Sequence, residues 1–323
     1  MLRRVVRKVN NQKILRYAHI VLLDINLFED DMWLMNSFVT LAQPLATLGK
    51  VNFVGAGPGA VDLLTLRAAR LLGEADVVLY DALVGPEVLS LAPQAKKISV
   101  GKRCGRRSLS QTAINILLVD AALSFQRVVR LKGGDPGIFG RLHEELFALD
   151  NAGIAYEIVP GITSALAAAA QLGVSLTERG VARSVTFATP AVGNGLNACP
   201  DSGFTAARTS TQTSTQTSGS DWAHADPSST LCLYMAGGEF GACARRLLAQ
   251  GWAANTPVRA VRDVSHATSD VWVGTLGEAP SRLPGPVTVL IGMALLSLHS
   301  KIRDSTRSEA PHHADHHLAT SPS

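Results

Sequence analysis

Residues 127–141 read Arg127-Val-Val-Arg-Leu-Lys-Gly-Gly-Asp-Pro-Gly-Ile-Phe-Gly-Arg141, and this stretch decides the fold class. Its first four residues read as a short strand. Two adjacent glycines, an Asp-Pro step and a third glycine then force the backbone through turns that bulky residues resist. A glycine-rich loop at the carboxyl end of a strand is where open α/β sheets place their ligand crevice. With no Cβ in the way, its main chain can press against a small molecule. Asp135 and Arg141 stand beside these glycines, and a plain structural turn has no need of either.

A second loop of the same kind lies upstream. Val51-Asn-Phe-Val54 is a compact apolar strand followed at once by Gly55-Ala-Gly-Pro-Gly-Ala60. Helical spacing then takes over, with Leu63, Leu64, Leu66, Ala69, Leu71 and Leu72 as the apolar stripe. Asp62 stands where a carboxylate suits the free amides at a helix start. The next strand, 76–80, ends at Asp81. Further strands are expected at 97–100, 127–131 and 156–159, with helices between. That alternation predicts a largely parallel sheet over 51–160. A turn at Pro160-Gly-Ile-Thr-Ser164 opens an Ala-rich helix over 165–172. Beyond it, strands at 184–187, 230–235, 257–261, 271–275 and 286–292, with a helix over 239–250, follow more closely and predict a mixed sheet.

Composition narrows the class. The 323 residues are 46% hydrophobic, enough for two domains. Aromatics make up only 5%, so Leu, Val and Ala must fill the cores. A net charge of +4 is too small and scattered for a nucleic-acid partner. Cys104, Cys199, Cys232 and Cys243 show no paired or metal-ligand spacing, which favours a reduced, cytoplasmic setting. No apolar run reaches the roughly 18 residues of a membrane span. Residues 1–50 do not join the α/β pattern, and Met35 offers an alternative start of translation. The Ser/Thr/Gln-rich stretch at about 196–220 reads as a disordered insertion in the second domain, 161–295. The tail over 296–323, with His312, His313, His316 and His317, reads as disordered too.

Gly55-x-Gly57-x-x-Ala60 also fits the dinucleotide-binding pattern, with Asp81 near the position of a ribose-binding acid. That alternative is an NAD-binding oxidoreductase. Pro58 weighs against it, because it has no N–H to give a pyrophosphate at a turn whose value lies in donated amides.

Taken together, Val54-Gly-Ala-Gly-Pro-Gly59, Tyr80-Asp81, Val100-Gly-Lys-Arg103, Arg130-Leu-Lys-Gly-Gly-Asp-Pro136, Phe139-Gly-Arg141, Val159-Pro-Gly-Ile-Thr-Ser-Ala165 and Tyr234-Met235 resemble the tetrapyrrole methylases in order and spacing. Within that family the likeness is to the uroporphyrinogen-III C-methyltransferase branch, and it covers about 51–295. The resemblance implies a two-domain α/β fold with the active-site cleft between a mainly parallel and a mixed sheet. It implies S-adenosylmethionine as cofactor, held by Pro58, Gly133, Gly134, Asp135, Ile138, Thr163, Ser164 and Met235. It also implies a homodimer, and two methyl transfers to uroporphyrinogen III that give precorrin-2 for siroheme and cobalamin. The family's proton acceptor falls on Asp81 and its proton donor on Lys102.

The substrate so implied is a polycarboxylate, which guanidinium forks suit. Arg103, Arg106 and Arg141 are the expected grips, with Arg107, Arg179 and Arg183 as lesser candidates. The chain departs from the family pattern at Ala60, Gly137, Leu142, His143, Pro190 and Val264. These departures keep a methylase of a later precorrin in view. A homologue that binds without turnover is the non-enzymatic reading, opposed by the intact Asp81, Lys102 and Arg141.

Overall fold

The computed structural model describes residues 48–101, 109–190 and 221–296. The N-terminal 1–47, the expected insertion, most of the basic stretch around Lys102 and the histidine-rich tail lie outside the described residues. Two five-stranded sheets carry the fold. The first comprises β1 (Lys50–Gly55), β2 (Val77–Tyr80), β3 (Lys96–Ser99), β4 (Arg127–Lys132) and β5 (Tyr156–Val159). Its order is β3-β2-β4-β1-β5, and every pairing is parallel. The second comprises β6 (Val185–Ala188), β7 (Thr230–Tyr234), β8 (Pro257–Arg262), β9 (Asp270–Thr275) and β10 (Val287–Ile291). Its order is β6-β7-β10-β8-β9, with β6 parallel to β7 and the other pairs antiparallel. A parallel first sheet and a mixed second one are what the spacing of strands predicts.

The strand order overturns the dinucleotide reading. In that fold the strand leading into the glycine turn lies beside the strand carrying the ribose acid. Here β4 separates β1 from β2, so Asp81 stands a full strand away from such a position.

Side chains alternate across the first sheet and build a core on each face. Val51, Phe53, Val77, Leu79 and Val128 face α3 (Gln111–Ser124) and α4 (Leu142–Ala152). Val54, Val78, Val129 and Leu131 face α1 (Leu66–Glu74) and α2 (Pro86–Ser90). In the second sheet, Cys232 and Leu290 pack against the alanines of α5 (Ser164–Leu172), and Leu231, Leu233 and Val289 against α6 (Phe240–Ala249). Among the described residues no helix is long and apolar enough to cross a membrane.

One local expectation is corrected. α1 does not start near Asp62, which belongs to a separate short turn, Val61–Leu63. The cap is Thr65, whose Oγ1 accepts from Ala68 N at 3.1 Å. Shifting the start turns the stripe: Ala68 and Leu72 are buried, while Leu66 is 92% exposed.

Candidate active site

Both glycine loops sit at the carboxyl ends of their strands and are joined by main chain. Gly57 N donates to Gly134 O at 3.2 Å and Gly134 N to Gly57 O at 2.8 Å, while Ala56 N donates to Lys132 O at 2.8 Å. A third glycine meets them from the loop after β5. A Cβ on Gly161 would lie 2.3 Å from Gly134 O and 2.9 Å from Gly55 Cα, so three backbones touch where no side chain fits. Asp135 ties this crossing together. Its Oδ1 accepts from Gly137 N at 2.8 Å and its Oδ2 from Gly161 N at 3.0 Å. The carboxylate expected to meet a ligand therefore also serves the loops themselves.

The second sheet closes the space above. Thr163 Oγ1 and the Tyr234 hydroxyl share a 2.7 Å hydrogen bond, and Thr288 Oγ1 donates to Ser164 Oγ at 2.8 Å. Burial pushes the Tyr234 phenol above its ordinary value, with Thr163 partly opposing. Ala60 N donates to Ser265 Oγ at 3.2 Å, linking the first glycine loop to the turn after β8. Between the sheets lies a cavity of about 550 Å³, within the roughly 300–1,000 Å³ of small-molecule sites.

The eight residues that the resemblance assigns to the cofactor, namely Pro58, Gly133, Gly134, Asp135, Ile138, Thr163, Ser164 and Met235, all line this one cavity. Asp81 lines it as well. Arg141 does not: its Nε and Nη2 each donate to a Glu144 carboxylate oxygen at 2.7 Å, and that pairing holds the guanidinium above its ordinary value. A carboxylate ligand reaching Arg141 would have to share it with Glu144. Lys102, Arg103, Arg106 and Arg107 lie outside the described residues. Arg179 lies within, and Arg183 just after, the turn in which Glu178 N and Ala182 N exchange hydrogen bonds with each other's carbonyls, and neither lines the cavity. Val264 is buried in the cavity wall, and His143 is on the exposed side of α4.

Sequence reasoning missed two groups. The turn after β8 brings Asp263 and His266 to the cavity by left-handed residues, Asp263 at φ 47° and Ser265 at φ 60°, with no glycine to announce it. Asp is enriched in that region, and this was the available signal. The other group is a buried charge cluster. Arg130 and Lys132 are each 2% exposed and Glu145 is 1% exposed. Arg130 and Lys132, two residues apart, share a face of a central strand where apolar side chains are the rule, which was signal enough. Burial, then the charge of Arg130, push the Lys132 amine below its ordinary value against the pull of Glu145 and Asp81. Burial also opposes the charge on Arg130, yet Glu145 and Asp81 together raise its pKa above the usual guanidinium range.

The model of the tetrapyrrole (corrin/porphyrin) methylases matches residues 50–280. This chain belongs to the tetrapyrrole methylases. The siroheme synthase of Psychrobacter sp. (strain PRwf-1) is 40% identical over 273 residues, covering 83% of this methylase and 52% of that protein. Siroheme synthase 1 of Yersinia pseudotuberculosis serotype I (strain IP32953) is 42% identical over 260 residues, covering 79% and 50%. The methylase thus spans about half the length of these curated relatives. Among solved structures, the uroporphyrin-III C-methyl transferase from Thermus thermophilus complexed with S-adenyl homocysteine is 35% identical with a TM-score of 0.62. There the match covers 76% of this methylase and 98% of that chain.

Proposed function

We propose that this methylase transfers methyl groups from S-adenosylmethionine to two ring carbons of uroporphyrinogen III, giving precorrin-2. The observation that carries the reading is the cavity itself. Residues scattered from 58 to 235, named from the family pattern, converge on one space between the two sheets. The Thermus thermophilus neighbour, matched over nearly all its length, supports both the reaction and the cofactor class. The halves of the siroheme synthases beyond the match carry none of this argument.

The residues present fit such a cofactor. Pro58, Ile138 and Met235 offer apolar surface, with a soft thioether in Met235. Hydroxyls of Thr163 and Ser164 and the carboxylate of Asp263 line the same space, suited to a ligand with hydroxyl and ammonium groups. The main chain of Gly133 and Gly134 allows close approach. When bound, S-adenosylmethionine supplies a methyl group on a positively charged sulfur.

The protein's part is to orient the ring and move protons. Asp81, one-third exposed in the cavity wall, is the proposed acceptor of the proton that leaves the macrocycle. Lys102 is the proposed donor, and Arg103, Arg106 and Arg141 the proposed grips on the ring carboxylates. The free, buried thiols of Cys232 and Cys243 support a reducing, cytoplasmic setting.

An anaerobic assay with uroporphyrinogen III and labelled methyl donor tests the reading. Label is expected in a dimethylated ring, with a trimethylated product on overrun. An unlabelled tetrapyrrole would sink the proposal. Calorimetry should register S-adenosylhomocysteine binding and no heat from NAD.

A further inference from the structure

β4 is the middle strand of the first sheet, where apolar side chains would normally stand at positions 130 and 132. Arg130 and Lys132 instead lie under α4 and converge on one carboxylate. Arg130 Nε donates to Glu145 Oε2 at 3.1 Å and its Nη2 to Glu145 Oε1 at 3.0 Å. Lys132 Nζ donates to the same Oε1 at 2.9 Å, and Gln111 Nε2 reaches it at 3.4 Å. Arg130 Nη2 also donates to Asp81 Oδ1 at 2.6 Å. A chain of contacts thus runs from a buried carboxylate, through a buried guanidinium, to a carboxylate in the cavity wall.

A buried ion cluster is weak evidence of a stabilising role. Burying charges is costly, and replacing buried ion pairs by apolar residues of similar volume is often neutral or stabilising. The cluster meets the cavity at Asp81 and Lys132, and of the two Asp81 is the more open. The backbone of Asp81 is held by its N–H donating to Leu131 O at 3.3 Å. Its terminal torsion is of the soft kind, and one nitrogen of Arg130, Nη2, holds one of its oxygens. Arg130 is itself locked because Glu145 takes two of its N–H groups.

We propose that Arg130 is a positioning residue and Glu145 its anchor, which together hold the Asp81 carboxylate in one orientation for the proton step. The proposal rests on the reading of Asp81 as proton acceptor. Wild type, Arg130→Lys, Asp81→Asn and the double variant are compared in the anaerobic methylation assay. Arg130→Lys keeps the charge and removes the fork. It is expected to lower kcat by about 10- to 100-fold, the scale of a small misplacement. KM for uroporphyrinogen III and the S-adenosylhomocysteine dissociation constant should stay within about threefold. In the Asp81→Asn background the same change should cost no more than about twofold, since residues acting as a unit are not additive.

Equal losses of kcat in both backgrounds would overturn the proposal, as would a parallel loss of substrate and cofactor affinity. Should Arg130→Lys fail to fold, Glu145→Gln, nearly the same shape, enters the same cycle with the same expectations. An inactive wild type would instead remove the methylase reading on which the proposal stands. Wild-type turnover with additive variants removes the positioning role alone.

Discussion

At the scale of single residues, the cavity is bounded by backbone conformations that side chains resist. Among the described residues, positive φ occurs outside glycine at Phe139, Arg141, Met235, Asp263 and Ser265. Phe139, Met235 and Asp263 line the cavity, and the other two adjoin lining segments. Such strain costs of order 1–3 kcal/mol per residue and persists where surrounding structure imposes it. The glycine crossing is the counterpart, made where no side chain is tolerated. Gly161→Ala is expected to destabilise the protein by roughly 1–3 kcal/mol through overpacking and to weaken S-adenosylhomocysteine binding. Urea unfolding and calorimetry measure the two effects, and an unchanged affinity would contradict the role given to the crossing. The glycines were legible from sequence because their absence of Cβ has few uses. Asp263, His266 and Met235's left-handed turn were not, since Asp is only enriched in that conformation and Ser and Met adopt it when tertiary contacts force it. The second duty of Asp135 was equally hidden, because Gly161 is far from it in the chain.

At the scale of elements, strands were readable and helix starts less so. Among the described residues each strand lies within a residue or two of its expected span. Asp62 drew the start of α1 too early because a carboxylate suits any helix N-terminus, whereas the hydroxyl of Thr65 makes the bond. Thr65→Ala should cost about 1 kcal/mol in urea unfolding and leave S-adenosylhomocysteine affinity unaltered. A cost indistinguishable from zero would mean the bond to Ala68 does no net work. Ser110 caps α3 in the same way, accepting from Ala113 N at 3.1 Å. Strand order was beyond reach of local pattern: nothing in 51–80 says that β4 will insert between β1 and β2. That insertion brings Arg130 beside Asp81, and so the charge cluster, though its cations were visible in the sequence, had no readable partner.

At the scale of the whole molecule, the two-sheet plan followed from strand spacing, and the cavity between the sheets was implied by family resemblance rather than by the residues alone. Its cores also carry a pH signature. Burial pushes the thiol of Cys232 up to about 12 and that of Cys243 up to about 11, from an ordinary value of 9.0. Raised values mean that folding holds these protons, so the contribution is complete below about pH 9 and is lost as pH climbs toward the folded values. Each thiol contributes a fall of roughly 1.4 kcal/mol per pH unit across that window. Urea stability of the Cys232→Ala, Cys243→Ala double variant should therefore decline less steeply above about pH 9 than that of wild type. Parallel declines would show that other groups govern alkaline unfolding. The glycine crossing bears on the order of assembly as well. Gly55 and Gly134 leave the ribosome before Gly161, so a nascent chain can gather its first four strands while Asp135 still lacks one of its two amide partners. The welcome for a small molecule comes later still, because Met235, Asp263 and Thr288 of the cavity wall are made after the loop beyond β5.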